Sequence, residues 1–597
     1  MNKTLETPHA QAPAGGTFLF TDVGAGEFMT PERFTPEQRA YYDTAIQFVR
    51  DQVLSKAEQI EKKDNPLLKS LLRQAGELGL LMLDIQEAYG GLATDKTTSM
   101  LVAEANSLLG SWSVTFGAQV GIGTLPIVWF GTPAQKAKYL PKLASGEWAA
   151  AYALTEPGSG SDALGAKTTA VLSADKTHWV LNGSKLFITN SGFADVFIVF
   201  AKVDGEKFTG FVVERNTPGF TVGPEEHKMG LRGSSTCPLY FEDAKVPAEN
   251  VLGEIGKGHK IAFNILNLGR LKLGVAVVGG MKEQLKNAVE FAQGRKQFQT
   301  AIIQFALIRE KLARMAMLTF ATESMAYRTS GYIDDALAGQ DKTAQDYDQK
   351  TIVAIEEYAI EASILKVFGS ESLGAVIDEG VQIHGGVGYI EEYAVERAYR
   401  DQRVNRIFEG TNEINRMLIV GMLLKRAMKG GVPLLAVAQS VDEELTQNTL
   451  PKEQKKDTLD RQALAAEHLK RMAIFALKVA VETFGPEVEQ HQAVLAAISD
   501  VMMDAYALDS MVTRTRQAAK DGKLDDAKVA MTQLYAAEAQ SRSLAQARKA
   551  LCGSVEGDAL TQALEKLSKL DFFIPYAPAK LRETVVKALE ASGGYPA

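Results

Sequence analysis

The sequence predicts an α+β fold that is mainly α: an N-terminal helical domain, a central β-domain, a C-terminal helical bundle and an extra C-terminal helical domain. Three observations carry this. Apolar residues recur at helical spacing before residue 150 and again from about 258. Between roughly 151 and 250 they give way to short β-branched and aromatic runs. Beyond two breaks, near 430 and 451, long Ala-rich stretches resume the helical pattern.

Taken in order, 1–36 reads as an N-terminal extension. Its first sixteen residues are polar with scattered Ala and Pro. They have neither the basic-then-apolar profile of a secretory signal nor the arginines of a mitochondrial transit peptide, so a cytoplasmic, bacterial-type setting is expected. The first helical domain, 37–150, is marked by Leu67, Leu71 and Leu72, then Leu78, Leu80 and Leu81. Thr132-Pro133-Ala134-Gln135 adds a helix start with its cap, N1 proline and capping-box Gln. The β-domain, 151–255, holds apolar runs at 179–181, 186–189, 196–200 and 211–213, with Asn182-Gly183 predicting a hairpin turn between the first two. In the bundle, 256–428, Ile308, Leu312, Met315 and Leu318 share one helix face. A linker follows at 429–460, containing Gly430-Gly431-Val432-Pro433 and the charged stretch Pro451 to Asp457. The last domain, 461–597, contains helical segments at roughly 461–484, 487–520 and 524–551, and no 20–50-residue repeat is evident.

Composition narrows the function. The chain has 597 residues and a net charge of -8, with no arginine-rich stripe, which argues against nucleic acid. Two cysteines, Cys237 and Cys552, suggest neither a disulfide framework nor a thiolate metal site, and fit a reducing compartment. No metal site is expected. No apolar run reads as membrane-spanning.

Five segments carry chemistry. Glu409 lies between Ile407-Phe408 and Gly410-Thr411: an apolar side raises a carboxylate's pKa, and a glycine lets a ligand approach the backbone. That environment suits a carbon-acid base, although a helix cap or surface charge is the plainer reading. Tyr152 to Asp162 is rich in Gly and Ser whose N–H groups and hydroxyls suit a pyrophosphate, or simply form an interdomain loop. Phe187 to Gly192 ends a strand with an aromatic and a hydroxyl, suited to a flat ring or to the core. Arg295-Lys296-Gln297-Phe298 follows a helix and suits phosphate or solvent. Gln382 to Tyr389 has glycines that permit close approach; its His384 lacks any metal-ligand spacing or paired nucleophile. Neither a Rossmann fingerprint nor a P-loop is present.

In this order across helical, β and helical domains, the five segments resemble the acyl-CoA dehydrogenases. The similarity covers about residues 40–425. It extends through Gly131 to Lys136, Lys228-Met229-Gly230, Val246 to Gly253 and Ile308 to Met315. The wording of these stretches and of 305–315, with the helical extension after 430, looks most like the very-long-chain acyl-CoA dehydrogenase branch.

The resemblance implies FAD. Tyr152, Leu154 and Thr155 would meet the isoalloxazine, with the Thr155 hydroxyl near flavin N5. Ser161 would sit where flavin and acyl-CoA come together. Phe187 would cover the flavin face, where many relatives have Trp, and Thr189 would bond the cofactor. Arg295, Phe298, Gln382, Gly385 and Gly386 would reach FAD held by a neighbouring subunit, implying a homo-oligomer, with a dimer expected. Thr411 and Glu413 fall on further flavin contacts. Asn267, Arg270, Phe408 and Gly410, with Ser161, fall on the acyl-CoA side. Three positions depart from the family pattern. Gln299 and Ile302 (or Ala301, one register earlier) replace a usual Gly and Pro, leaving that loop's backbone open, and His384 replaces a usually apolar or aromatic residue.

By the same resemblance Glu409 is the base that removes the substrate's α-proton. The β-hydrogen then leaves as hydride to flavin N5, giving a trans-2-enoyl-CoA in fatty-acid β-oxidation, with electrons passed to an electron-transfer flavoprotein. An oxygen-using acyl-CoA oxidase and an assembly or scaffold relative with little turnover are the competing readings. Val432 to Val437 is the linker's apolar patch and leaves room for a weak peripheral membrane contact on the inner face, although its flanking charge is acidic before it becomes basic.

Overall fold

The computed structural model describes residues 12–453, 457–572 and 574–596. Most of the polar N-terminal stretch (1–11) and Gln454 to Lys456 of the charged stretch lie outside them.

The first helices are built on side-chain caps. Thr35 caps Pro36–Phe48 in a reciprocal capping box with Gln38, and Asp64 caps Asn65–Glu77. Asp95 caps Lys96–Ala105, and Thr132 with Gln135 forms the box that opens Pro133–Ala144. Between them, Gly110–Gly117 passes through a π-helical turn, Ala118–Gly123, into Leu125–Phe130. Such a turn widens the helix and re-aims its side chains, and here it lines the cavity described below.

The β-domain is an eight-stranded sheet of β1 (Ala150–Ala153), β2 (Thr169–Leu172), β3 (His178–Thr189), β4 (Val196–Val203), β5 (Lys207–Glu214), β6 (Phe220–Val222), β7 (Thr236–Pro247) and β8 (Val251–Leu252). The order is β6-β7-β3-β2-β4-β5-β8, with β1 added parallel to β4. The hairpin expected at Asn182-Gly183 does not form. β3 runs straight through these residues beside β7, with a register shift between Leu181 and Gly183. Gly183, at φ 146°, approaches β2's entry so closely that a Cβ would lie 2.6 Å from the Thr168 hydroxyl. The glycine serves a close approach rather than a turn.

The bundle consists mainly of Gly258–Gly294, Ala306–Leu337, Ala359–His384 and Asn412–Met428. Gly110–Phe130 and Gly258–Gly294 are, by length and composition, apolar enough to cross a membrane, which amends the reading of the sequence. Both are 67% buried inside the protein and belong to its core.

Beyond the bundle come Asp460–Phe484, Gln492–Lys520 and Asp526–Cys552, then Gly557–Ser568 and Pro578–Ser592. The span read as a linker contains a helix, Leu434–Gln447, which buries Leu434, Ala438, Val441 and Leu445 within the protein. Val432 is buried too, and Leu435 is the exposed leucine of that patch. The apolar face that suggested a membrane contact is therefore used in packing, and nothing here supports such a contact.

Both chain ends clamp this added domain. The segment before Pro36 threads past the bundle: Gly15 and Gly16 donate to Glu357 and Glu361, Val23 to Glu467 and Phe28 to Gln517. It delivers Glu32 to Arg514 at 2.9 Å, and Arg514 also holds Glu323 at 2.7 Å. Lys282 bridges Glu323 and Glu104 at 2.5 and 2.6 Å, and Tyr595 donates to Glu323 at 2.8 Å. This buried cluster joins both ends of the chain, the bundle and the added domain.

Candidate active site

Glu409 stands in a strained turn. Its φ is 58° and that of Gly410 is 78°, so two consecutive residues occupy the left-handed region just before Asn412–Met428. For glutamate that conformation costs about 1–3 kcal/mol and must be held by its surroundings. Three buried side chains hold it. Arg270 Nε donates to the Glu409 carbonyl at 3.3 Å, and Lys366 Nζ to the Gly410 carbonyl at 2.6 Å. Asn415 Nδ2 spans the Glu409, Gly410 and Thr411 carbonyls at 3.3, 2.9 and 3.0 Å. Thr411 caps the helix by accepting from Ile414 N–H at 3.2 Å. The Glu409 and Gly410 N–H groups have no partner within the chain among the described residues.

The Glu409 side chain is enclosed although the residue as a whole is partly exposed; its Oε2 is buried and accepts no hydrogen bond. It packs onto the Gly258–Gly294 helix at Gly269, where a Cβ would lie 2.3 Å from Oε2. Burial pushes the carboxyl up to about 7, with the cations Arg270 and Lys366 pulling the other way. A carboxylate so placed is half-ionised near neutrality, which suits proton abstraction.

Glu409 borders a long apolar cavity of about 200 Å³. Phe408 and Thr189 line it with Glu409, as do residues from 103–125, from 265–284 and from Leu373 and Ile377. From Gly269, beside the carboxylate, to Gln284 is fifteen residues of one helix, or about 22 Å.

The β-domain residues approach the same end. Tyr152 and Leu154 are buried, and the Tyr152 hydroxyl is enclosed without a partner; burial and the Glu409 charge raise its pKa. Thr155 is half-buried and Ser161 exposed. Their segment is anchored from behind by the buried Lys185, whose ammonium bonds Glu156 at 2.7 Å and Leu154 O at 3.4 Å. Phe187 sits at φ 60° and is 60% exposed, displaying its ring at the end of β3.

Other expected residues are placed apart from the cavity. Arg270 and Asn267 are buried behind its wall, bonded to each other at 2.8 Å, with Arg270 directed to the Glu409 backbone. Gly410 is half-buried in the turn itself, and Glu413 is exposed on the helix that follows. Arg295 ends its helix before a tight hairpin that pairs Lys296–Gln297 with Thr300–Ala301, and Phe298 and Gln299 form its turn at φ 49° and 61°. Residues at positive φ meet the need that the missing glycine leaves. Phe298 is 89% exposed, and Gln382, Gly385 and Gly386 are exposed as well. His384 is buried, stacked on Phe291 at 4.3 Å with Nδ1 against Gly380 O at 2.7 Å, a packing role.

The reading of the sequence missed Lys366, Asn415, Gly269 and Lys185. Lys366 leaves a trace, being a lone cation within Ile364-Leu365-Lys366-Val367-Phe368. The others act through contacts that no local pattern encodes.

Comparisons with known proteins follow the same geometry. Family models for the acyl-CoA dehydrogenase N-terminal, middle and C-terminal domains match residues 35–147, 151–244 and 256–424. A further acyl-CoA dehydrogenase C-terminal domain model matches 468–569. A probable acyl-CoA dehydrogenase of Bacillus subtilis (strain 168) is 47% identical, with 98% of each chain covered. The human mitochondrial very long-chain specific acyl-CoA dehydrogenase is 37% identical over 83% of this chain and 78% of its own. Among solved structures, an acyl-CoA dehydrogenase complexed with FAD from Bacillus anthracis superposes with a TM-score of 0.96 at 46% identity, covering 98% of this chain and 100% of that one. Butyryl-CoA dehydrogenase from Megasphaera elsdenii gives 0.59 at 37% identity, covering 66% and 99%. The residues present fit a flavin: an enclosed tyrosine hydroxyl without a partner, a displayed aromatic, and Gly158 and Gly160 with nothing within 4 Å of where a Cβ would stand. The chain belongs to the acyl-CoA dehydrogenase family, as a flavin-dependent oxidoreductase that uses FAD.

Proposed function

We propose that the protein dehydrogenates long-chain acyl-CoA thioesters to trans-2-enoyl-CoA in fatty-acid β-oxidation, with Glu409 as the α-proton base. The observation that carries this is the enclosed, unpartnered Glu409 carboxyl at one end of an acyl-sized apolar cavity. Glu409 takes the α-proton, and the electrons of that C–H bond become the α,β double bond as the β-hydrogen departs with its own pair. FAD would be held by Tyr152, Leu154, Thr155, Ser161, Phe187 and Thr189, with Thr411 and Glu413 beyond the base, and would supply the acceptor for that pair. The unpaired N–H groups of Glu409 and Gly410 suit the thioester oxygen, where negative charge grows as the proton leaves; one such donor is worth about 3–4 kcal/mol. Phe408 and the helical walls exclude water from the developing enolate.

Chain length follows from the cavity. An extended alkyl chain advances about 1.25 Å per carbon, given bonds of ~1.5 Å and angles near ~111°. A wall of about 22 Å then takes some ~17 carbons. Arg295, Phe298, Gln382, Gly385 and Gly386 are exposed and so free to meet a second subunit's cofactor, which supports a homodimer as the active form. Electrons leave to an electron-transfer flavoprotein; hydrogen peroxide formed at the turnover rate would instead identify an oxidase. The test of the base is anaerobic flavin bleaching by a ladder of acyl-CoAs. Glu409→Gln is expected to bind FAD and acyl-CoA yet to bleach at least ~10³-fold more slowly, and near-normal bleaching in that variant sinks the assignment.

A further inference from the structure

The cavity does not stay apolar along its length. At the end remote from Glu409 it is lined by two glutamines from different elements, Gln284 and Gln402. Each is only 6% exposed, and neither side-chain oxygen has a hydrogen-bond partner. They stand at successive levels of the cavity, about one helical turn apart. Gln402 Oε1 lies 3.0 Å from where a Cβ on Gly374 would stand, the neighbouring Leu373 packs over Gly280, and Gln284 is one turn beyond Gly280. A buried amide left without a partner costs about 1–3 kcal/mol, and a purely alkyl chain end gives it none.

We propose that this end of the cavity is a polar subsite for acyl chains that carry a neutral oxygen function at or near their distal end, a hydroxyl above all. The proposal rests on the dehydrogenase reading of the cavity and adds the class of acyl chain it selects.

Charge decides between a neutral and an ionised group. Lys272, the cation among the lining residues, is already bonded to Asp84 at 3.0 Å and to Val120 O at 3.3 Å. Asp401, also in the lining, is an acid held by Leu231 N–H. A terminal carboxylate would share the cavity with the acid Asp401, and Arg406, whose guanidinium lies beside Gln402 Oε1 at Gly374, stands outside the lining, whereas a hydroxyl both donates to and accepts from a glutamine amide. Distance sets where the oxygen sits. Some ~22 Å separates Gln284 from the carboxylate, close to the reach of an extended chain of ~16–18 carbons.

The experiment compares palmitoyl-CoA with ω-hydroxypalmitoyl-CoA on the FAD-loaded enzyme. Affinity is measured by titration calorimetry on the Glu409→Gln holoenzyme, and anaerobic flavin bleaching on the Glu409 enzyme. The expected result is about tenfold tighter binding of the hydroxylated chain, one good hydrogen bond's worth. Gln284→Leu/Gln402→Leu is expected to abolish that preference and to bind palmitoyl-CoA more tightly than the parent does. Gln284→Met/Gln402→Met, with more flexible side chains of similar size, serves should the leucine pair fail to fold. Equal affinities in the parent enzyme, as when ordered water already satisfies both amides, overturn the proposal. So does a preference that survives either double substitution. Failure of the underlying reading looks different: Glu409→Gln would then bleach normally, or neither thioester would bleach the flavin at all.

Discussion

Lys366→Met removes the buried ammonium that ties down the base's turn, and the structure sets the size of the effect. Lys366 donates to Gly410 O at 2.6 Å and to Asn412 Oδ1 at 2.8 Å. Gly410 O keeps Asn415 at 2.9 Å, so no carbonyl is orphaned, and the loss in stability is about 2–3 kcal/mol, the worth of a charged hydrogen bond. The larger effect is on the base. Groups facing this pair are Arg270 from the Gly258–Gly294 helix, Tyr152 from β1, Glu413 from the helix after the turn and Glu371 from the lysine's own helix. Removing the Lys366 charge takes away one of two cations that pull Glu409 down, so its pKa rises from about 7 by about one unit. At pH 7 the ionised fraction then falls about fivefold. Slackening of the strained turn multiplies this, since displacement of a reacting group by ~1 Å costs about 10²-fold. Stopped-flow flavin reduction from pH 6 to 9, the range about which Glu409 titrates, reads both effects. The midpoint moves to higher pH, and the rate stays depressed above it. Burial holds Lys366 itself down to about 8, so the two profiles converge partly at the alkaline end. A midpoint that stays in place in a variant with full FAD content would refute the reasoning.

Three further outcomes follow from the same geometry. Gly269→Ala places a methyl 2.3 Å from Glu409 Oε2, so flavin reduction should fall by at least ~10²-fold with FAD content retained; a normal rate would show that the carboxyl works from another rotamer. Glu409→Gln should stabilise the fold at alkaline pH. The folded pKa, about 7, lies above the ordinary 4.5, so Glu409's contribution is intact below 4.5 and lost as pH rises through 7, up to about 3 kcal/mol by pH 8. Thermal melts of both proteins at pH 4.5 and 8 check this, and an equal difference at both would contradict it. Glu32→Gln leaves Arg514 one carboxylate short and should cost about 3 kcal/mol near neutrality. Glu32 is held below its ordinary range and Glu323 down to about 2, so the deficit should shrink as pH falls below about 4; a deficit constant with pH would count against an ionic origin.

What the sequence discloses and what it hides divide along the range of the interactions. Helical and β spacing are local, so the succession helical, β, helical, helical was legible, and so was the capping box at Thr132. Asn182-Gly183 was misread because a dipeptide's turn propensity is local, whereas Gly183's task is to let Thr168, just before β2, approach closely. The segment before Pro36 has no periodicity at all. Its order comes from partners such as Glu357, Glu467 and Gln517, hundreds of residues away. Glu409 was legible by its neighbours, but its clamps were not, because Arg270, Lys366 and Asn415 come from three helices. The polar end of the cavity is hidden for the same reason: a glutamine in an amphipathic helix looks like solvent-facing surface until the fold encloses it.

The added domain reaches the Glu409 turn through one arginine. Arg416 lies on the helix that begins at the Glu409 turn, and it grips Glu371 with two nitrogens at 2.8 and 2.9 Å. Its third nitrogen bonds Asp500 of the added domain at 2.7 Å, and Ser499 donates to its carbonyl at 2.6 Å. Glu371 in turn accepts from Asn412 at 3.0 Å, and Asn412 accepts from Lys366. A bonded path thus runs from the domain's Gln492–Lys520 helix to the carbonyl next to the base. An unpaired carboxylate and a left-handed glutamate are expensive to keep, together worth several kcal/mol. A bundle helix free at its outer face would relax by letting that turn go. Fixing the helix from the far side, with the chain's two ends closing over the buried Glu32–Arg514–Glu323 cluster, makes relaxation costlier than strain. The added domain is thereby bonded to the turn that holds Glu409, even though none of its described residues lines the cavity.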